Sequence, residues 1–249
     1  MSKELINRNI TWVDAFNITT TEYFLVTHML WTLESTISNS KILSNGYGEV
    51  NAVDYKSWDV LRDSMHWSRR YEYPWIFYNI PKNTKVLDVG ASRCAFQFLV
   101  SEFDSEVYGI DLKKDHIDDT NKIADHFKFN VHGVVGDGRK LPFADNFFDV
   151  AYSISTLEHI IPRGGVFEAI DEMIRVTKPG GKVIFSIDVH HPVPNPKEDD
   201  MFDSDDFIYL ANRYGLSIPD VPIDALRHVV NKYPNNPIIV ACVELNIAE

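Results

Sequence analysis

The sequence predicts an α/β domain in which helices cover both faces of a parallel sheet. Between residues 86 and 187, apolar runs alternate with longer polar segments, an order of strands and helices that produces such a sheet. The chain has 249 residues, of which 45% are hydrophobic, so it can bury one sizeable core. We therefore expect one main domain with additions.

Strands are assigned from short apolar, β-branched runs that end at turn residues. They cover residues 86–89, 107–110, 130–135, 148–154, 182–187 and, near the end of the chain, 238–245. Helices are assigned from apolar residues at helical spacing, over residues 96–103, 166–176 and 206–214. Pro179 and the two glycines after it end the second of these helices, and a loop rich in proline and aspartate follows the fifth strand.

The first 80 residues differ, because they are rich in aromatic residues and lack this alternation. We interpret residues 1–80 as an N-terminal helical cap and residues 81–249 as the main domain. Trp58, Leu61 and Met65 fall at i, i+3 and i+7, which predicts a helical face that packs against the main domain.

Charge and cysteine content narrow the class of protein. The net charge of −12 disfavours a nucleic-acid partner and favours a small-molecule one. Cys94 and Cys242 form no CxxC pair, which indicates a reducing compartment, and we expect a cytoplasmic protein. The N-terminus is too polar for a signal peptide, and the apolar stretch 23–33 is too short to span a membrane. The oligomeric state is left open.

Three carboxylates stand at the ends of successive strands, which is where open parallel sheets bind nucleotide-type cofactors. Asp88 is in the first strand two residues before Gly90, Asp111 ends the second, and Asp137 follows the third between two glycines. Each alone is typical of a turn, but together they outline a pocket. A nicotinamide-dependent oxidoreductase is disfavoured, because the first loop lacks the second and third glycines of G-x-G-x-x-G and carries Asp88.

Four segments resemble the class I S-adenosylmethionine-dependent methyltransferases of the type 11-like group: VLDVGAS (86–92), YGIDL (108–112), GDGRKLPFADNFFDVAYSISTLEHI (136–160) and VTKPGGKVIFS (176–186). The resemblance implies a Rossmann-like three-layer αβα sandwich, with a mostly parallel seven-stranded sheet whose last strand is antiparallel. It implies S-adenosylmethionine as cofactor, with the methionine part near Gly90, the ribose on Asp111, the adenine amine on Asp137 and the amino-acid end near Ser153. The implied cofactor residues are Asp88, Gly90, Ala91, Ser92, Asp111, Leu112, Gly136, Asp137, Gly138 and Ser153.

The chain departs from the family where Ser92 and Cys94 replace further glycines. This departure leaves an inactive cofactor-binding scaffold as an alternative. Just before the first strand, Arg69 or Arg70 is a candidate partner for the methionine carboxylate, and we assign Arg70 to the cofactor site.

We expect methylation of a small molecule, first of all at a sugar or sugar-nucleotide hydroxyl, whose proton must leave as the bond forms. The predicted base is His190 or His191, oriented by Asp188 after the fifth strand. His159 is interpreted as a packed residue. A magnesium ion is possible on the oxygen and nitrogen ligands of this region, but the spacing does not demand one. Methylation of another metabolite, a natural product, a quinone or an amine remains open.

Overall fold

The computed structural model describes residues 3–12, 21–40, 42–43, 69–190, 202–220 and 238–249. Its strands form one sheet of seven in the order β1-β7-β6-β5-β2-β3-β4. They are β1 (Leu5–Trp12), β2 (Lys85–Val89), β3 (Glu106–Asp111), β4 (Val131–Val135), β5 (Phe148–Ile154), β6 (Thr177–His190) and β7 (Ile238–Ile247).

Strands β2 to β6 are parallel, whereas β7 runs antiparallel to β6. The predicted fold class, a mostly parallel seven-stranded sheet with an antiparallel last strand, is confirmed. The carboxyl ends of β5, β2, β3 and β4 therefore lie side by side along one edge of the sheet.

Helices cover both faces of the sheet, because alternate residues of each strand point to opposite faces. In β2, Val86 packs into the apolar cluster on one face and Leu87 into the cluster on the other. The helices are α1 (Thr21–Asn39), α2 (Arg69–Asn79), α3 (Phe96–Ser101), α4 (Lys114–Phe127), α5 (Gly164–Val176) and α6 (Ser204–Tyr214). Buried residues of α1 to α4 share the cluster of Val86, and those of α5 and α6 share the other.

The N-terminus contributes a strand where we expected only a helical cap. Strand β1 pairs antiparallel with β7 at the edge of the sheet, and Leu5 and Ile10 pack against the main core. The sequence pattern missed this strand because its partner lies more than 220 residues away along the chain. Helices α1 and α2 lie within residues 1–80, and the division into a cap and a main domain at residue 80 stays a prediction. The helical face of Trp58, Leu61 and Met65 lies outside the described residues.

Helix α4 had no counterpart in the assignment from sequence, because charged residues dominate it. Its buried stripe consists of Ile117, Thr120, Ile123 and Ala124. Helix α6 begins at a capping box in which Asp203 accepts hydrogen bonds from the backbone of Asp205 and Asp206. Among the helices that the structure describes, none is long and apolar enough to cross a membrane.

Candidate cofactor and acceptor site

A cavity of about 620 Å³ opens at the carboxyl ends of β2, β3, β4 and β5. We call the part at β3 and β4 the cofactor end, defined by Asp111, Asp137 and Arg139. The part at β5 is the acceptor end, lined by Arg69, Ser155 and His159 and backed by Glu72, Glu158 and Asp188. Asp88, Gly90, Ala91, Ser92, Leu112, Gly136 and Gly138 also line the cavity.

A larger cleft, of about 760 Å³, lies between the N-terminal strand and helices α5 and α6. Its cations are already engaged, since Arg175 pairs with Asp145 and Arg213 pairs with Asp171. Lys3 donates to backbone carbonyls at the end of α5. The cleft therefore offers less unpaired charge for a ligand than the cavity at the strand ends.

The loop after β2 passes close to its neighbours at Gly90. This residue has a φ of 80°, and a Cβ placed on it would lie 2.2 Å from the Thr156 side chain. Only glycine fits both the backbone angle and the space. The backbone amides of Gly90 and Ala91 both donate to the Ile110 carbonyl, which fixes the loop against β3.

The carboxylate of Asp111 is held by two backbone amides. Its Oδ2 accepts a hydrogen bond from the amide of Ser92 at 2.9 Å, and its Oδ1 accepts one from the amide of Lys113 at 2.8 Å. The side chain is 14% exposed. These two hydrogen bonds fix the orientation of the Asp111 side chain. Each oxygen keeps a second lone pair, so Asp111 can accept further hydrogen bonds from a ligand.

Asp88 is buried at the middle of the edge, beside Tyr152 of β5 in the sheet register. The Tyr152 hydroxyl donates to its Oδ2 at 2.9 Å. Burial raises the pKa of Asp88 from 3.8 to about 7, with a contribution from the Asp111 charge, although the Tyr152 hydrogen bond opposes the rise. The carboxyl group is therefore partly protonated near neutral pH.

Asp137 is engaged by an arginine that the sequence analysis did not select. The Arg139 guanidinium donates to both carboxylate oxygens, at 2.6 Å from Nη2 to Oδ2, and its Nη1 donates to the Ile161 carbonyl. These hydrogen bonds hold the pKa of Asp137 below its usual range. Arg139 therefore ties the loop after β4 to the loop that follows His159.

Ser153 does not line the cavity, which corrects the role implied for it. Its hydroxyl donates to the Val89 carbonyl at 2.8 Å and is fully buried. The side chain of Ser155, two residues later and past the end of β5, lines the cavity instead. The sequence motif located the end of β5, but it did not show whether Ser153 or Ser155 faces the cavity.

Helix α2 brings Arg69 and Glu72 to the acceptor end. Arg69 lines the cavity and its Nη1 donates to Glu72 Oε2 at 2.8 Å. The Ser155 hydroxyl donates to the other oxygen of Glu72 at 2.6 Å, and Glu72 is fully buried. Arg70, which we had assigned to the cofactor site, belongs to α2, but its side chain lies outside the described residues.

Two more carboxyl groups lie behind Ser155, the buried Glu158 and the half-buried Asp188. Its hydroxyl is 3.5 Å from Asp188 Oδ1, and the backbone amide of Asp188 donates to Glu158 Oε1 at 3.3 Å. Burial raises the pKa of Asp188 to about 7, and the Glu72 carboxylate adds to the effect. Burial and Asp188 together raise the pKa of Glu158 well above its ordinary value. The acceptor end therefore holds protons on carboxyl groups at neutral pH.

The predicted bases lie elsewhere or outside the described residues. His190 ends β6, where its amide donates to the Phe202 carbonyl, and it is not among the residues that line the cavity. His191 lies outside the described residues. His159, which we had interpreted as packed, is exposed and lines the cavity, and partial desolvation there and the Arg69 charge lower its pKa. In the part of the chain that the structure describes, no group of three or more His, Cys, Asp or Glu residues is arranged to hold a metal ion.

Comparison with known proteins identifies the domain that carries this cavity. A family model described as a methyltransferase domain matches residues 87–185, from β2 into β6. The match confirms the resemblance of this chain to the class I S-adenosylmethionine-dependent methyltransferases. The solved structure of a geranyl diphosphate methyltransferase with this fold, at 11% identity, is in complex with S-adenosylmethionine, the cofactor that the resemblance implied.

Curated relatives of the methyltransferase domain act on different molecules, according to their names. Phosphoethanolamine N-methyltransferase 3 from Arabidopsis thaliana is 34% identical over 139 residues, which are 55% of this chain and 26% of that protein. Demethylmenaquinone methyltransferase from Paenarthrobacter aurescens (strain TC1) is 29% identical over 140 residues, 55% of this chain and 52% of that protein. The chain thus spans about a quarter to a half of the length of these relatives.

Solved structures share the fold of the methyltransferase domain. Geranyl diphosphate C-methyltransferase from Streptomyces coelicolor A3(2) aligns over 92% of this chain and 98% of its own, with a TM-score of 0.61 at 12% identity. The [4+2]-cyclase SpnF aligns over 90% of this chain and 96% of its own, with a TM-score of 0.58 at 16% identity. A cyclase on this fold shows that the fold alone does not define the reaction.

Proposed function

We propose that this chain transfers the methyl group of S-adenosylmethionine to a small molecule, and that the acceptor is a hydroxyl group of a sugar or sugar nucleotide. The observation that carries the proposal is one continuous cavity with hydrogen-bonded carboxylates at its cofactor end and His159 at its acceptor end. A cytoplasmic location and a small-molecule rather than nucleic-acid partner remain predictions from composition.

The residues at the cofactor end suit S-adenosylmethionine. Asp111 would accept hydrogen bonds from the ribose hydroxyls, and Asp137 would accept one from the adenine amine while sharing its carboxylate with Arg139. Leu112 lines the cavity with 68% of its surface exposed, and this apolar side chain would cover the base. Gly90 lines the cavity and has no side chain, so the backbone of the loop after β2 packs against Thr156 and would face the methionine part.

Arg69 would bind the methionine carboxylate, in place of the Arg70 that we selected from sequence. Arg69 lines the cavity, and its pairing with buried Glu72 holds the guanidinium in one position. Asp88, at the middle of the edge, would accept a hydrogen bond from the methionine ammonium group. When bound, S-adenosylmethionine supplies an electrophilic methyl group on a sulfonium.

His159 is the base that the geometry favours. It lines the cavity, and its lowered pKa keeps the imidazole neutral at pH 7, so a ring nitrogen can take the proton of a hydroxyl acceptor. His190 and His191 stay predictions from sequence. Asp188 lies behind Ser155, and we give it a structural part at the acceptor end rather than the orientation of His190.

An amine acceptor is a second candidate. The carboxyl oxygens of Glu72, Glu158 and Asp188 cluster at the acceptor end, where they would accept hydrogen bonds from an ammonium group. A relative named as a phosphoethanolamine N-methyltransferase is consistent with such an acceptor. His159 would then remove the ammonium proton before transfer.

The test is methyl transfer from isotopically labelled S-adenosylmethionine to a panel of sugar nucleotides, sugars and amines, with calorimetric titration of S-adenosylhomocysteine and NAD. We expect S-adenosylhomocysteine to bind, NAD not to bind, and a hydroxyl compound to be labelled. Labelling of amines alone would contradict the hydroxyl proposal, and binding of NAD alone would contradict the methyltransferase.

We expect His159→Asn to lower kcat by about 100-fold while S-adenosylhomocysteine affinity changes by less than about twofold, because only proton transfer is lost. In the unsubstituted protein, kcat/KM should fall as pH drops below the ordinary histidine value of 6.5, where His159 takes up a proton. His132→Asn, on a histidine whose side chain is 48% exposed, is the matched control. Full activity of His159→Asn would rule out the base.

A further inference from the structure

The serine that replaces a glycine in the first loop adopts a conformation that costs free energy. Ser92 has a φ of 46°, in the left-handed region that residues with a Cβ disfavour. A glycine would adopt this angle without strain. A contact of the Ser92 side chain would have to offset this strain.

Ser92 contacts a histidine from another element. Its hydroxyl oxygen lies 3.3 Å from Nδ1 of His116, which stands in the first turn of α4. The same nitrogen lies 4.0 Å from Asp111 Oδ1, and the His116 side chain is 13% exposed. All three side chains line the cofactor end of the cavity.

The three groups are complementary to a vicinal diol. Asp111 is acceptor-only when ionised, and each of its oxygens already has one backbone donor, so it can take one further hydrogen bond per oxygen. A diol hydroxyl that donates to Asp111 still has lone pairs that need a donor. The Ser92 hydroxyl and the His116 imidazole can supply that donor, and within the described residues Nε2 of His116 has no hydrogen-bond partner.

We propose that Ser92 and His116 form a pair that contacts the ribose hydroxyls of the cofactor and, with Asp111, makes binding depend on the intact diol. The proposal rests on S-adenosylmethionine as the occupant of the cavity. In this proposal His116 binds the cofactor, and Ser92, which stands where the family has a glycine, contributes to cofactor binding and does not impair it.

The test is calorimetric titration of S-adenosylhomocysteine and its 2′-deoxy and 3′-deoxy analogues. In the unsubstituted protein, we expect loss of the contacted hydroxyl to weaken binding by roughly tenfold or more. In His116→Ala, S-adenosylhomocysteine should bind roughly tenfold more weakly while that deoxy analogue changes by less than about twofold, so selectivity for the diol collapses. His126→Ala, on an exposed histidine of the same helix, should change neither ligand.

Ser92→Gly is the second variant, and it separates binding from structure. Because glycine relieves the positive φ, this variant should unfold at a higher temperature, yet its selectivity for the diol should decrease. An equal loss of affinity for all three ligands in His116→Ala, or unchanged selectivity in Ser92→Gly, would overturn the proposal. If the unsubstituted protein binds none of these ligands, both this proposal and the proposed function fail. If the unsubstituted protein binds S-adenosylhomocysteine and both variants keep its selectivity for the diol, only the role of Ser92 and His116 is ruled out.

Discussion

The two ends of the cavity use the same kind of residue in opposite charge states. At the cofactor end, Asp137 is partly exposed and paired with Arg139, and its pKa is lowered. At the acceptor end, the buried Glu158 and the half-buried Asp188 lie close to Glu72, and their pKa values are raised. Burial and neighbouring charge, rather than residue type, decide whether a carboxyl group in this cavity is ionised.

The two ends of the cavity also differ in the sequence separation between the residues that are hydrogen-bonded to each other. Asp137 is held by a residue two positions away, and Asp111 by amides two and 19 positions away. At the acceptor end, Ser155 and Glu72 are separated by 83 positions and joined by a 2.6 Å hydrogen bond. The cofactor end is thus built mainly from local turns, and the acceptor end from the packing of α2 on the sheet.

The largest expected effect is at the acceptor end. Glu72→Ala removes the carboxylate that accepts hydrogen bonds from Arg69 and Ser155. Because the Arg69 charge then lacks that counterion, we expect the free energy of unfolding to fall by about 4 kcal/mol. Urea denaturation measures it. Glu102→Ala, at an exposed glutamate, should change stability by less than about 0.5 kcal/mol. If Glu72→Ala lowers the free energy of unfolding by as little as Glu102→Ala does, packing alone holds α2 on the sheet.

A second, smaller effect concerns Asp88. Its pKa is raised, like those of Glu158 and Asp188 at the acceptor end, although Asp88 lies beside the loop after β2. The folded state keeps a proton on Asp88 up to about pH 7, whereas the unfolded chain loses it near 3.8. Stability due to this group is therefore lost as pH rises through that window. Asp88→Asn should remove this loss, and its stability relative to the unsubstituted protein should increase by on the order of 3 kcal/mol between pH 4 and 8.

Urea denaturation at several pH values measures this difference. Asp125→Asn, at an exposed aspartate, should track the unsubstituted protein at every pH. Parallel curves for Asp88→Asn would show that Asp88 is ionised in the folded state, and the contrast with Asp137 would then disappear.

The smallest expected effect is at Ser153, which the family resemblance placed at the cofactor. Because its hydroxyl donates only to the Val89 carbonyl, Ser153→Ala should lower the free energy of unfolding by about 1 kcal/mol and leave S-adenosylhomocysteine affinity unchanged within about twofold. Ser217→Ala, at an exposed serine, is the control for stability. A tenfold loss of affinity in calorimetry would restore Ser153 to the cofactor site.

The cofactor end was readable from sequence because its residues sit at strand ends in short motifs. Asp88, Gly90, Asp111 and Asp137 were selected from sequence, and all four line the cavity. Arg139 and His116 line it too but were missed, since an arginine in a turn and a histidine on a charged helix have no distinctive pattern. Their spatial neighbours Asp137 and Asp111 are the only signal that would have selected them.

The sequence by itself determined the fold class, the methyltransferase domain and the strand-end carboxylates, because periodicity and turn chemistry act over a few residues. Only the tertiary structure decided that residues 5–12 form a strand, that Ser155 rather than Ser153 faces the cavity, and that Glu72 lies beside Ser155. It also decided that the pKa values of Asp88 and Asp188 are raised, because desolvation depends on what the folded chain packs around a carboxyl group.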